Sequence, residues 1–224
     1  MKTYGNIDIN QLKAIIFDFD ETMYSSDTIK EEYQEYIKRT VMSLSNHNEA
    51  ETMKLMKEYG FLSDGNERVS FGKNCEKFGI SKKCWDNYRV NNFFKINFNN
   101  AKVVNNDLYK ELSKICKLYI VSNEIKDNVI FKAEKLNIDL NNFTKIYAPT
   151  IETMHNYHTK KDNYLNIGEV LSCNSDEICV IGDRYNVDIL PMLEIGGKGL
   201  LISNVDEIST FIKKSINDYN LKLN

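Results

Sequence analysis

The chain has 224 residues, 42% of them apolar and 27% charged, with a formal net charge of −3, the profile of a globular protein with one large domain or a core plus a smaller insert. That balance supplies no basic field to draw the chain to a nucleic acid polymer or an anionic membrane. No stretch approaches the roughly 18 apolar residues of a membrane span, and the opening MKTYGNIDINQ lacks the apolar core of a signal peptide, so the expected location is cytoplasmic.

In chain order, the first pattern is the run from Leu12 to Phe17, apolar except at Lys13. It reads as a strand buried on both faces of a parallel sheet. The run ends in FDFDETMY, which carries Asp18, Asp20 and Glu21. Buried carboxylates cost several kcal/mol unless paired or coordinated, so a core strand that presents them implies a use for them. From about Asp27 to Asn97 the chain reads mostly as helix. TIKEEYQEYIKRTVMSL places Ile29, Tyr33, Tyr36, Ile37, Val41 and Leu44 near one stripe. EAETMKLMKEYGF continues similarly and stops at Gly60. SDGN is a turn, and helical segments follow around Val69 to Phe78 and Ser81 to Phe94.

After Asn100 the rhythm changes. NDLYKELSKI, KDNVIFKAEKLNI, KKDNYLNIGEVLS, VDILPML and VDEISTFIKKSI read as helices. Between them KLYIVSN, FTKIYAP, EICVIGD and GLLIS read as strands. Strands alternating with helices of this length predict a parallel α/β sheet. The expected organisation is a core over 1–24 and 101–224 that carries a helical insert over 25–100. The five cysteines are odd in number and contain no C-x-x-C pair, which argues for reduced thiols rather than a disulfide framework or a zinc ribbon.

Ligands of doubly wound sheets sit outside the carboxyl ends of the strands, and four polar features fall there. Asp18 and Asp20 end the first strand, two residues apart and so on one side of an extended chain. Ser122 ends LYIVS, Lys160 and Lys161 open a helix, and Asp183 ends ICVIGD with Asp188 five residues on. Singly, each has a plain structural use as a turn, a cap or a solvated charge. Together they supply what phosphoryl transfer needs: a nucleophile, a proton shuttle, cationic cover and oxygen ligands for a hard metal. A carboxylate nucleophile would form an aspartyl-phosphate and split one hard step into two.

FDFDETMY, LYIVSN, the lysine of TKKDNY and VIGDRYNVD resemble the four motifs of the haloacid-dehalogenase-like hydrolase superfamily. The resemblance spans Ile15 to Asp188 and implies a Rossmann-like parallel core, a C1-type helical cap inserted after the first strand, and Mg2+-dependent phosphatase chemistry. It implies Asp18 as nucleophile and Asp20 as general acid, then base. Thr22, Ser122 and Asn123 would bind the phosphoryl oxygens, with Lys160 or Lys161 balancing charge. Motif register favours Lys160, because Lys161 stands where many members have proline. Asp18, the backbone carbonyl of Asp20 and Asp183 would hold Mg2+, with Asp188 in support. Glu21 stands where glycine is common. The plain reading is a side chain pointing outward near a helical turn; the alternative is a charge that selects among substrates.

A helical lid over such a site would exclude water and favour a small phosphorylated metabolite, such as a nucleoside monophosphate or a sugar phosphate, over a phosphoprotein. Arg68, Lys73, Trp85 and Arg89 are conceivable substrate contacts in the insert, though each suits a surface charge or a core aromatic. His155 and His158 lack the further ligands a zinc site requires. The chain would act as a monomer or homodimer. A receiver-type phospho-acceptor domain would carry its acceptor Asp on the third strand, and a D-x-D glycosyltransferase would not need the serine, lysine and GD in this order. The remaining alternative is a catalytically idle member that binds a phosphorylated ligand as a sensor or regulator.

Overall fold

In the computed structural model, residues 1–62, 69–154 and 158–223 are described. The strands are β1 (Lys2–Tyr4), β2 (Ala14–Phe17), β3 (Tyr24–Ser25), β4 (Lys102–Val103), β5 (Lys117–Val121), β6 (Lys145–Tyr147), β7 (Ile178–Gly182) and β8 (Lys198–Leu201). Helices α1 (Ile29–Leu44), α2 (Glu49–Glu58), α3 (Phe71–Asn74) and α4 (Lys82–Asn91) precede α5 (Asn106–Ser113) and α6 (Lys126–Lys135). Then come α7 (Lys160–Leu171), α8 (Leu190–Leu193) and α9 (Val205–Leu223).

Six strands form one sheet in the order β1-β8-β7-β2-β5-β6, parallel except for β1. The continuous apolar runs AIIF and ICVIG become its central strands because helices cover both faces, leaving no side for polar residues. Side chains alternate between the faces. Ala14 and Ile16 pack with Val121, Tyr164, Ile167 and Val180 on one face. On the other, the Phe17 ring meets Tyr109 edge-on at 5.3 Å and Phe143 at 6.0 Å. The fold is thus the α/β, largely parallel sheet core that the strand–helix alternation predicts.

The chain divides into two compact units, Met1–Ser25 with Ala101–Asn224, and Ser26–Asn100. The second is the helical insert, with a core of its own: Ile37, Val41, Met56, Phe61, Phe71, Phe78 and Trp85 pack together. Its α2 starts on a capping box between Asn48 and Glu51. Gly60, at φ +80°, lies just past the end of that helix, in the left-handed conformation glycine tolerates.

Several elements differ from expectation. β1 precedes the central strand as an antiparallel edge, so the motif-bearing strand β2, after which the helical insert comes as expected, is the second rather than the first in chain order. The run from Leu12 is shorter as a strand, because Ile9–Gln11 forms a 3-10 turn capped by Asp8 and β2 begins only at Ala14. β3 and β4, which flank the insert in the chain, form a small antiparallel ribbon. VDILPML is not one short helix: Tyr185–Ile189 is a π turn that runs into α8. The SDGN turn lies outside the described residues.

Candidate active site

β2 lies between β5 and β7, with Phe17 level with Ile120 and Ile181. The residues that follow these strands therefore leave the sheet side by side at its carboxyl edge: Asp18, Ser122 and Asp183. Asp18 is buried, and its N–H donates to the Ile181 carbonyl at 2.9 Å. Its Oδ1 accepts from Lys160 Nζ at 2.6 Å, while its Oδ2 is buried with no hydrogen-bond partner.

Lys160 is the first residue of α7, whose start is pinned by a capping box between Thr159 and Asp162. Its side chain, 3% exposed, also donates to Asp188 Oδ1 at 2.6 Å. Burial works to lower the pKa of this ammonium; Asp18 and Asp188 outweigh it and hold the pKa above its ordinary value. The adjacent Lys161 turns away and pairs with Glu194 at 2.8 Å on the surface.

Asp188 reaches the site through the π turn. Its Oδ2 accepts the Arg184 N–H at 2.9 Å, and its backbone carbonyl accepts the Tyr164 hydroxyl at 3.2 Å. The glycine of the GD pair makes this approach feasible: a Cβ on Gly182 would lie 2.5 Å from Asp188 Cβ and 2.7 Å from Asp188 Oδ2. Gly182→Ala is therefore expected to cost about 1–3 kcal/mol through overpacking and to weaken divalent-cation binding. Thermal unfolding with and without the cation checks both effects.

Oxygen atoms of Asp18, Asp183 and Asp188 lie within 4.8 Å of one another. Burial raises the Asp18 carboxyl, and the Asp188 charge raises it further against the opposing Lys160. Asp183 is pushed well above the usual carboxylate range by burial, then by Asp18 and Asp188, with Glu21 adding to the effect. Crowded carboxylates with an unbonded buried oxygen at Asp18 suit a cation, and an all-oxygen set suits a hard one. The residues present fit a metal.

Asp20 does not join this cluster. Its Oδ1 accepts from Lys132 Nζ at 2.6 Å and from the Tyr24 hydroxyl. Lys132, on α6, is 1% exposed and also faces Glu124 at 3.8 Å. Lys132 is absent from the residues the motifs single out, yet the sequence holds a signal for it. It sits on the stripe Val129, Ala133 and Leu136, at the i+3 position of a buried helix face where a lysine is out of place.

Thr22 is buried with its Oγ1 lacking a hydrogen-bond partner. Ser122 is buried and its Oγ accepts the Glu124 N–H at 3.1 Å. Asn123 is exposed. Glu21 does not point outward as a freely solvated charge: it is half-buried, at φ +60°, and near enough to Asp183 to act on its carboxyl. The left-handed backbone here explains why glycine suits this position.

In the insert, Trp85 belongs to the core and stands 4.9 Å from the Phe71 ring. Arg89 pairs with the buried Asp86 at 3.3 Å, which gives it a structural task, while Lys73 and, in the core unit, His158 are exposed. Arg68 and His155 lie outside the described residues. No helix among the described residues is long and apolar enough to cross a membrane.

Residues 12–196 match the family model described as haloacid dehalogenase-like hydrolase. No curated protein matches the chain. Among solved structures, a HAD phosphatase from Thermococcus onnurineus is similar with TM-score 0.55 at 16% identity, covering 85% of this chain and 86% of that one. A haloacid dehalogenase-like family hydrolase from Streptococcus pneumoniae has TM-score 0.52 at 20% identity, over 90% of this chain and 91% of its own. A predicted phosphoglycolate phosphatase from Haemophilus somnus has TM-score 0.52 at 16% identity, over 85% of each chain. At these identities the structures speak to the fold alone, and they share it over nearly the whole length. With the family model spanning the sheet edge that carries Asp18, Lys160, Asp183 and Asp188, the chain belongs to the haloacid dehalogenase-like hydrolases.

Proposed function

We propose that this protein is a Mg2+-dependent phosphatase that hydrolyses a small phosphate monoester through an aspartyl-phosphate on Asp18. The observation that carries the reading is the different setting of two neighbouring aspartates. Asp18 is buried against Lys160 with Oδ2 unbonded, whereas Asp20 is held by Lys132 and Tyr24. Asp18 stands in the carboxylate cluster as a nucleophile would, and Asp20 is held apart from it in a fixed orientation as a separate proton carrier requires; its ion pair favours the ionised form, which suits the base half of that role.

In this mechanism one oxygen of the Asp18 carboxylate attacks phosphorus, and the bond to the leaving oxygen breaks as Asp20 gives that oxygen a proton. Asp20 then takes a proton from the water that splits the acyl phosphate and restores the Asp18 carboxylate. The Lys160 ammonium offsets charge on the nucleophile and the phosphoryl oxygens. Thr22 Oγ1 and Ser122 Oγ donate to those oxygens; the exposed Asn123 has a weaker claim to that role. Asp18, Asp183 and Asp188, with the backbone carbonyl of Asp20, would hold Mg2+, whose charge would offset that of the transferred group.

A nucleoside monophosphate or a sugar phosphate is the proposed substrate class. The FDFDETMY start, with Tyr24 after Met23, resembles that of pyrimidine-nucleotidase-type members and makes the former one candidate without choosing between them, and two of the similar structures carry the name phosphatase.

The test is phosphate release from p-nitrophenyl phosphate and a panel of small phosphate esters, in Mg2+ and in EDTA. Acid quenching during turnover is followed by peptide mass analysis. Release that needs Mg2+, with the phosphoryl group trapped on Asp18, is the expected result. Silence across the panel would move the reading to a phosphate-binding regulator, and trapping on another residue would overturn the assigned nucleophile.

A further inference from the structure

We infer that Lys132 is a positioning residue for the reaction: with Tyr24 it locks the carboxyl group of Asp20 in the orientation that delivers a proton to the leaving oxygen. This rests on the phosphatase reading above and adds to it a residue outside the four motifs.

The geometry forms a relay of fixed groups. Glu124 Oε1 accepts the Ile125 N–H at 2.8 Å and the Asn128 side-chain amide at 3.2 Å, which anchors this carboxylate at the start of α6. Its Oε2 stands 3.8 Å from Lys132 Nζ, one turn beyond Asn128 on the same helix. Lys132 in turn donates to Asp20 Oδ1 at 2.6 Å. The Tyr24 hydroxyl donates to the same oxygen.

An aspartate side chain has two torsions, and two directed donors on one oxygen settle both. An oxygen that accepts two donors has no room for a proton, so the proton that Asp20 transfers is carried on Oδ2. Locking Oδ1 therefore fixes where the reactive oxygen lies. A buried ammonium is costly to keep unless it is paired, and an apolar residue would fit the Val129, Ala133, Leu136 stripe better. The Glu124 N–H also donates to Ser122 Oγ at 3.1 Å. One loop thus sets both the serine proposed to bind phosphate and the anchor of the lysine.

The chemical step is balanced without any added reagent. As Asp18 bonds to phosphorus, the electron pair of the breaking P–O bond goes to the leaving oxygen, which receives the Oδ2 proton of Asp20. Esters with a poor leaving group depend on that proton, whereas p-nitrophenolate departs readily without it. Lock and acid should therefore reveal themselves through leaving-group dependence.

The experiment compares kcat/KM, which reports the phosphorylation step, for p-nitrophenyl phosphate and for an alkyl phosphate such as glycerol phosphate. The full-length variants are Lys132→Met, Lys132→Arg, Tyr24→Phe and Asp20→Asn, each checked for folding by circular dichroism. Lys132→Met is expected to lose about 10²-fold on the alkyl ester and under about 5-fold on the aryl ester. Arginine should restore a large part of the loss, Tyr24→Phe should lose about 10-fold on the alkyl ester alone, and Lys132→Met added to Asp20→Asn should cost nothing further.

Equal losses on both esters, or additivity with Asp20→Asn, would overturn the assignment and leave Lys132 a structural residue. Loss on both esters in an unfolded Lys132→Met shifts the decision to Tyr24→Phe, which preserves size and burial. An inactive wild type is a different failure, since it removes the phosphatase reading itself.

Discussion

Lys160→Met is expected to lower kcat/KM for phosphate ester hydrolysis by about 10²–10³-fold, the loss typical of removing one preorganised electrostatic contact. It is also expected to destabilise the fold by about 3–5 kcal/mol, because it breaks a buried ion cluster from one side only. Lys160 Nζ stands 2.6 Å from both Asp18 Oδ1 and Asp188 Oδ1, and all three side chains are at most 3% exposed. Methionine fills the volume and leaves two buried carboxylates facing each other beside a third.

At roughly 2–4 °C per kcal/mol in a chain of this size, Tm should fall by about 10 °C near neutral pH. The folded pKa of Lys160 lies above its unfolded value. Its contribution is thus complete below the unfolded value and fades only as pH rises through the folded one, far above neutrality. The Tm deficit of the variant should shrink toward pH 5, where the unpaired carboxylates can take up protons. Lys161→Met is the control: its pair with Glu194 is exposed on both sides, and such pairs are worth about 0–1 kcal/mol. Differential scanning fluorimetry and initial rates measure both variants; equal behaviour of the two would defeat the argument.

The contrast between these adjacent lysines marks how far the sequence carries. AIIF, KLYIV and ICVIG announce buried parallel strands, since such strands show no alternation, and the first polar residue after each falls at the ligand edge. Asp18, Ser122 and Asp183 are legible for that reason. Asp188 is legible as an acid but not as a partner of Lys160. That contact depends on a π turn and on a bare Gly182, and neither leaves a periodic trace.

Lys132 is obscured by a different effect. KDNVIFKAEKLNI contains several lysines, and the helical stripe of Val129, Ala133 and Leu136 marks Lys132 as the inward one without telling that it meets Asp20. β1, β3 and β4 are too short to carry a hydropathy pattern and form because neighbouring chain offers free edges. Glu21 reads as an outward charge because local rules assign exposed acids to helix starts. Its burial follows from a left-handed turn that the sequence would have reserved for glycine.

Asp183→Asn should behave in the opposite sense to Lys160→Met, less active yet more stable. Burial and the charges of Asp18 and Asp188 raise the folded-state pKa of Asp183 well above its ordinary value. Between the unfolded value, about 3.9 for an aspartate, and the folded one, the native state holds more protons than the unfolded chain. Stability therefore falls as pH rises through that window. Asparagine keeps the shape and removes the charge, so in EDTA at pH 8 the variant should melt higher than wild type by at least about 2–4 °C, the shift that 1 kcal/mol produces. The gap should close toward pH 4.

Adding Mg2+ should reverse the order. Wild type gains stability through binding to the native state, while the variant has lost a ligand and gains little. Phosphate release should fall by about 10²–10³-fold. If the variant instead melts lower than wild type in EDTA at pH 8, then Asp183 contributes a structural contact that outweighs its repulsion, and the case for a cation at the three aspartates weakens with it. A sturdier but inactive variant that also fails to gain stability from Mg2+ would mean that the third carboxylate is retained, against the stability of the empty fold, to hold the cation.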